Sequence, residues 1–399
     1  MRILVLNAGS SSLKYQLFDM DNGDVLAKGN CERIGAGGTV THKRPEADNF
    51  YEEIDLPDHG AALERVLSLL TSKEYGVIES IKEIDAVGHR VAHGGEKIKE
   101  STRITESTIK YLEEIVPINP LHGPPAIAGM KACMKLMPDI PQVGVFDTAF
   151  YSEIEDFRYV YPIPYEYYEK DHIRRYGFHG TSHRFVSGEL ARVMGKSIED
   201  LKIITCHLGN GSSITAVDGG KAIDTSMGFT PQEGIAMGTR SGTIDPTVVT
   251  YLMKTHGYTA QEVEDIINKK SGLLGVSGLS NDCRNISEAA AEGNYRASLA
   301  MKIMINGIKK YIGSYIAEMN GLDALVFTAG IGENQASTRA AVCENLSYLG
   351  IEIDADKNEN FTRGVPFEIT KEGASVATWI IPTNEEYMIA IDTQRLAKN

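Results

Sequence analysis

One pattern, a strand, a Gly/Ser turn and a hairpin, is written into this chain twice, and that duplication leaves few folds open. Residues 2–6 read as a buried strand, 7–12 as a turn, 13–19 as an alternating strand, and Asp21-Asn22-Gly23 as the turn into a third strand ending near residue 29. The plan returns at residues 203–206, the turn His207-Leu208-Gly209-Asn210-Gly211-Ser212-Ser213, the strand 214–217, the turn Asp218-Gly219-Gly220 and a last short strand 222–224. A third strand-to-glycine junction follows: strand 324–328, the loop Ala329-Gly330-Ile331-Gly332-Glu333-Asn334, and a helix expected over 335–349 that stops at Gly350.

Helical patterns fill the intervals. Asp245 before Pro246 predicts a capped helix to His256, Thr259 with Glu262 predicts a capping box, and apolar spacing predicts a long helix over 295–319. Strands alternating with helices define an α/β class with a mixed sheet in each half. At 399 residues the chain exceeds what one compact core usually supports, so two domains are expected, with a cleft between them available for a site. The Tyr-, Pro- and Glu-rich stretch 151–168 lacks periodicity and puts the boundary near residue 150.

Composition narrows the function. Hydrophobic residues at 42% and charged residues at 24% are ordinary for a globular protein. Forty Lys and Arg against 54 Asp and Glu give a net charge of −14, which argues against nucleic acid as a partner while leaving room for a small anion held by a few local cations. The apolar run at 3–6 is too short for a secretory segment, and no stretch is long enough to span a bilayer. Five scattered cysteines form no C-x-x-C pair, which fits a reducing cytoplasm and no zinc site.

Several residues stand where chemistry is done. Gly/Ser turns present successive N–H groups to an anion, and Lys14 adds a cation beside the first. Gly195-Lys196-Ser197 ends like a phosphate-binding P-loop, but Leu190 stands where that pattern needs glycine. Arg90 follows an apolar strand, and Arg240 lies in the Gly-, Thr- and Ser-dense segment 225–246. Such settings favour binding over the solvated surface that most arginines occupy. Asp147 ends the strand 142–146, and His179 lies in Tyr176-Gly177-Phe178-His179-Gly180, expected as a loop with an exposed ring; each has a structural reading of about equal or greater weight. Near the C-terminus Thr383 and Glu386 have capping-box spacing, which leaves Glu385 without a structural role.

Taken together, Leu6 to Lys14, Gly88 to Gly95, Phe146 to Phe150, Tyr176 to Ser182, His207 to Ser213, Thr225 to Pro246, Phe327 to Asn334 and Pro382 to Glu386 closely resemble the acetate kinase family over essentially the whole chain. The resemblance implies two duplicated domains of the actin, sugar kinase and Hsp70 ATPase type with an interdomain active-site cleft. Residues 1–150 plus the C-terminal helix 385–399 would form the carboxylate and Mg²⁺ side, and residues 151–384 the nucleotide side. It implies ATP and ADP as co-substrates, acetate or another short-chain carboxylate as acceptor, Mg²⁺ or Mn²⁺ as the metal, a homodimer and a cytoplasmic location. Asn7 and Glu385 would hold the metal. Ser10, Ser12, Lys14 and His207-Leu208-Gly209-Asn210-Gly211 would face the phosphates. Asp282, Cys283, Arg284 and Gly330-Ile331-Gly332-Glu333-Asn334 would hold the adenosine. Arg90 would bind the substrate carboxylate, Asp147 would orient the site, and His179 and Arg240 would stabilise the moving phosphoryl group. Ala92, Leu121, Phe178 and Pro231 would surround the methyl group; Gly123 stands where the family usually has Asn, and Ala92 where it usually has Val, and the second of these departures is expected to make the acyl pocket roomier.

A carboxylic acid with a pKa of roughly 4 to 5 is already an ionised nucleophile at neutral pH, so direct in-line transfer needs no general base. The alternatives are a propionate or butyrate kinase, a sugar kinase needing an aspartate base, and a non-enzymatic ATP-driven chaperone- or actin-like module.

Overall fold

The computed structural model describes residues 1–398, which divide into two compact units, residues 1–152 with 384–398 and residues 153–383. In the first unit β1 (Arg2–Gly9), β2 (Ser12–Asp19), β3 (Asp24–Glu32), β4 (Thr39–Lys43), β5 (Phe50–Glu53), β6 (Ala86–Val91), β7 (Thr102–Arg103) and β8 (Gln142–Phe146) form one mixed sheet in the order β5-β4-β3-β2-β1-β6-β8-β7. In the second, β9 (Lys202–Leu208), β10 (Ser212–Asp218), β11 (Lys221–Thr225), β12 (Ala324–Thr328), β13 (Phe367–Glu368) and β14 (Ala377–Ile380) are ordered β11-β10-β9-β12-β14-β13. The duplication read from the sequence is a duplication of topology. An antiparallel meander, five strands in the first unit and three in the second, is joined by two parallel strands, β6 and β8 or β12 and β14, and closed by a short antiparallel edge strand.

The cores follow from the sequence period. The five residues of β12 are all buried, as expected of a parallel strand covered on both faces. The helix Tyr295–Met319 buries Ala297, Ala300, Met301, Met304, Ile308, Ile312, Tyr315 and Met319 at three- and four-residue spacing, against Ile204, Leu208 and Phe327 of the sheet's core. Asn294 caps it by accepting from Ala297 N–H. The caps at Asp245 and at Thr259 with Glu262 form as predicted. Among the described residues no helix is long and apolar enough to cross a membrane.

The structure corrects several boundaries. β1 runs on through Asn7, Ala8 and Gly9, which pair with Lys14, Leu13 and Ser12, so the first turn is only Ser10-Ser11. His207 and Leu208 belong to β9, leaving Gly209-Asn210-Gly211 as the second turn. The loop 329–334 is a short helix, and the helix expected to Leu349 ends at Cys343, because Asn345 adopts a left-handed backbone before a single turn Ser347–Leu349. At the C-terminus Asn384, not Thr383, caps the helix Glu385–Ala397 by accepting from Tyr387 N–H at 3.0 Å.

Candidate active-site residues

In the first unit three parallel strands end together. Asn7 lies near the carboxyl end of β1, Arg90 near that of β6, and Asp147 just past β8, the position where open α/β sheets hold ligands. The helix Glu385–Ala397 packs on this sheet through Ile389 and Ala390 against Ile3, Val5, Val143 and Val145. Gly88 permits the close approach, since a Cβ there would overlap the Thr393 hydroxyl and lie 2.7 Å from Ile389 Cγ2. That packing delivers the helix's first turn to Arg90.

Arg90 Nη2 donates to Asp147 Oδ2 at 2.9 Å, and its Nε faces Glu385 Oε2 at 3.4 Å as an ion pair without a hydrogen bond. Both carboxylates, Asp147 first, hold the guanidinium firmly charged. Burial pushes Glu385 up to about 7, with Asp147 and Glu386 adding to the shift while Arg90 and Lys14 oppose it. Three carboxylates, Asp147, Glu385 and Glu386, thus gather around Arg90. Sequence reasoning missed the role of Glu386: freed from the cap, it lines a cavity of about 310 Å³ with Asn7, Lys14, Lys28, Asn30 and Lys43. The signal was strand register, since Asn7 pairs with Lys14, Lys14 with Asn30, and Lys28 with Lys43. Ser10 and Ser12 stay at the β1–β2 hairpin. Ala92 is half-buried just after β6, and Leu121 is 70% exposed.

In the second unit the segment 225–246 docks on the glycine turn. Gly238 N–H donates to Asn210 C=O at 3.1 Å, and Met237 N–H to Arg240 C=O at 3.0 Å, which folds Arg240 back over the turn. Arg240 Nη1 donates to Pro231 C=O at 3.1 Å and touches Met237 Sδ at 3.7 Å. Among the described residues no carboxylate pairs with it, and burial lowers its pKa. Arg175 of the same unit differs, meeting Glu233 at 2.9 Å and Asp224 at 3.6 Å. A half-buried guanidinium without a counter-charge is a ready anion site.

His179 is not on an exposed loop. It is half-buried, occupies the N-cap of the helix Gly180–Met194 with a left-handed backbone, and its Nδ1 lies 2.8 Å from Ser213 Oγ. Its ring stacks on His207 at 4.2 Å. His183 shares Ser213 at 2.7 Å and is held neutral by burial. A Cβ on Gly211 would lie 3.3 Å from Arg240 Nη1 and 3.6 Å from His179 Nε2, so the bare glycine keeps open a space that a cation and an imidazole both border.

A cavity of about 730 Å³ in this unit gathers Gly209, Asn210, Asp282, Cys283, Arg284, Gly330, Ile331 and Asn334 of the expected nucleotide residues. Asn281, Gln335 and Arg363 join them; Arg363, in an irregular segment before Gly364, gave no sequence signal. Asp282 caps the helix Cys283–Ala291 and pairs with Arg284 at 2.6 Å. Three expected members are turned away. Leu208 is fully buried in the core, Gly332 packs 3.3 Å (as a Cβ) from the Phe327 carbonyl carbon, and the Glu333 carboxylate accepts from Ala329 N–H at 2.8 Å. Phe178 is buried against Met227 and Met237, and Pro231 is half-buried.

Two polar sites on duplicated mixed α/β sheets, one rich in carboxylates and one offering an unpaired arginine and a glycine turn, define a phosphotransferase class of protein. The computed fold superposes on the crystal structure of Porphyromonas gingivalis acetate kinase with a TM-score of 0.95 at 49% identity, covering 99% of each chain. A propionate kinase structure from Francisella tularensis gives 0.91 at 39% identity, again over 99% of each. The acetate kinase of Caldanaerobacter subterraneus subsp. tengcongensis is 56% identical over 400 residues, 100% of this chain and 99% of the relative. The sequence model of the Acetokinase family matches residues 2–391, and the chain belongs to that family.

Proposed function

We propose that this enzyme transfers a phosphoryl group reversibly between ATP and acetate, giving ADP and acetyl phosphate. The observation that carries the reading is Arg240, a half-buried cation facing the space above Gly211 with, among the described residues, no carboxylate to neutralise it. Such a group stabilises charge that arrives with a ligand. The 730 Å³ cavity takes the nucleotide, with Gly209 and Asn210 toward its phosphates and Asp282, Cys283, Arg284, Gly330, Ile331 and Asn334 around adenosine.

Arg90 binds the substrate carboxylate through Nη1, the edge that Asp147 and Glu385 leave uncommitted. Acetate needs no base, so Asp147 acts by orienting Arg90 and not by moving a proton. His179 Nε2 and Arg240 then stabilise the equatorial oxygens during in-line transfer. Ala92, half-buried just after β6, leaves room in the acyl pocket for the extra methylene of propionate.

The hard oxygen donors Asn7 and Glu385, with Glu386 beside them, suit Mg²⁺ or Mn²⁺. Bound there, the ion would offset negative charge on the phosphates. Among the described residues no three acidic, His or Cys side chains converge on a metal, a pattern suited to Mg²⁺, which completes its shell with water and substrate phosphates. The exposed stripe Tyr295, Leu299 and Ile303, at four-residue spacing, supports a homodimer, and five buried free cysteines suit the cytoplasm.

The test is ADP formation with acetate, propionate, butyrate and glycerol, with hydroxylamine present to trap acyl phosphate. Acid-dependent hydroxamate is expected. Equal ADP release with and without acid, or turnover with glycerol alone, would replace this reading by an ATPase module or a sugar kinase.

A further inference from the structure

Glu333 lies in the short helix Ala329–Asn334 that borders the nucleotide cavity, and its carboxylate faces inward. Oε1 accepts from Ala329 N–H at 2.8 Å and from Thr383 N–H at 3.2 Å, two backbone groups 54 residues apart in the chain order 329 to 383. The turn is fixed from its other end by Arg339, which is fully buried. Arg339 Nη1 donates to the carbonyls of Gly332 and Glu333 at 2.9 and 3.0 Å, while Nε and Nη2 donate to the side-chain and backbone oxygens of Asn358 at 2.7 and 2.9 Å. Among the described residues no donor of this guanidinium is spent on a carboxylate, so its bonds hold the Gly332 and Glu333 carbonyls and Asn358 and leave the Glu333 side chain to reach Thr383.

From Thr383 the connection continues. Its hydroxyl lies 2.7 Å from Ser182 Oγ, and Ser182 Oγ lies 2.8 Å from His207 Nδ1. Ser182 is fully buried, so no water competes for these bonds. The His207 ring stacks on His179. A hydroxyl chain ending on Nδ1 holds the orientation of the His207 ring and thereby the surface on which His179 rests.

We propose that Glu333, Thr383 and Ser182 are positioning residues, a hydrogen-bonded relay that ties the 329–334 turn of the nucleotide cavity to the His207–His179 stack. A nucleotide held at Gly330, Ile331 and Asn334 then sets the imidazole that meets the transferring phosphoryl group. The proposal rests on the reading of this cavity as the nucleotide site. Burial, which raises the Glu333 pKa, is opposed by the very N–H groups of Thr383 and Ala329 that it accepts from.

The experiment is a double-mutant cycle on full-length protein with Thr383→Val, Ser182→Ala and the double variant, reading kcat, KM for ATP, ADP affinity by calorimetry, and thermal unfolding. Each single change is expected to lower kcat about tenfold with ADP affinity within about threefold, and the double to be no worse than the poorer single, because both break one chain of bonds. Thr383→Ser, which keeps the hydroxyl, should restore turnover. Multiplicative losses in the double variant, or unchanged kcat in the singles, overturn the relay. If Thr383→Val does not fold, Glu333→Gln against Ser182→Ala supplies the same cycle. Failure of the wild type to bind ADP would overturn the nucleotide reading and the relay with it, whereas ADP binding with multiplicative losses overturns the relay alone.

Discussion

Asp147 Oδ2 accepts a hydrogen bond from Arg90 Nη2 at 2.9 Å, so the arginine proposed to bind the substrate carboxylate is already gripped by a buried one. Asp147→Asn keeps the shape and removes the charge. It should lower kcat/KM for acetate by about tenfold or more, in the range for losing a charged hydrogen bond of 1.5–3 kcal/mol. A residue acting by orientation leaves the shape of the pH–rate profile unchanged. Loss of a limb of that profile in Asp147→Asn would show that Asp147 transfers a proton.

Gly211 separates Arg240 and His179 by the absence of a side chain. Gly211→Ala should reduce kcat by at least about tenfold through displacement of these two groups, with little loss of stability because the nearest atom is the far end of the flexible Arg240 side chain. Wild-type kcat in Gly211→Ala would mean the space above the turn is not where phosphoryl transfer occurs.

The cap at the C-terminal helix reassigns two adjacent glutamates. Asn384→Ala should cost roughly 0.5–2 kcal/mol of stability, while Glu386→Ala should cost little. Glu385→Gln and Glu386→Gln are both expected to raise the Mg²⁺ concentration needed for half-maximal rate. Urea midpoints and Mg²⁺ titrations check this; a stability loss confined to Glu386→Ala would restore the capping box read from the sequence.

Buried histidines make the first unit acid-sensitive. His89 Nε2 donates to Gln142 Oε1 at 2.8 Å, and burial lowers its pKa to about 4. The unfolded chain takes up a proton near pH 6.5, the folded one near 4, so stability is fully present above 6.5 and falls as pH drops toward 4. The slope is about 1.4 kcal/mol per pH unit within that window. His89→Gln should flatten the fall in urea midpoint between pH 6.5 and 4.5; an unchanged slope would assign it to other groups.

Much of this was legible in the sequence, and the misses share a cause. The duplicated meander, the caps at Asp245 and Thr259 and the helix Tyr295–Met319 are local patterns, and the structure reproduces them. The turns came out too long because Asn7 and His207 look like loop residues, while their pairing with Lys14 and Ser213 depends on a facing strand. Thr383 had the right spacing for a cap, but its hydroxyl is taken by Ser182, 201 residues away. The inward turn of Glu333 and the arrival of Lys28, Lys43 and Arg363 at cavities are likewise tertiary facts without a local signal.

Ala92 is the residue proposed to set the substrate range. Replacing Ala92 by Val restores two methyl groups, and a methylene in an apolar pocket discriminates by about 1–3 kcal/mol, or roughly 10–200-fold in kcat/KM. Ala92→Val should penalise propionate by some part of that range and acetate much less. An unchanged acetate-to-propionate ratio would remove Ala92 from the pocket.

The central claim is that Arg240, unpaired among the described residues, stabilises the phosphoryl group in flight. The direct measurement is hydroxamate formation from acetate and ATP by Arg240→Ala, with and without added guanidinium at concentrations that leave the wild type folded and active. The account predicts a kcat lower by about 10² or more, with partial recovery when guanidinium occupies the vacated space above Gly211. Turnover near that of the wild type, without any dependence on guanidinium, would contradict it.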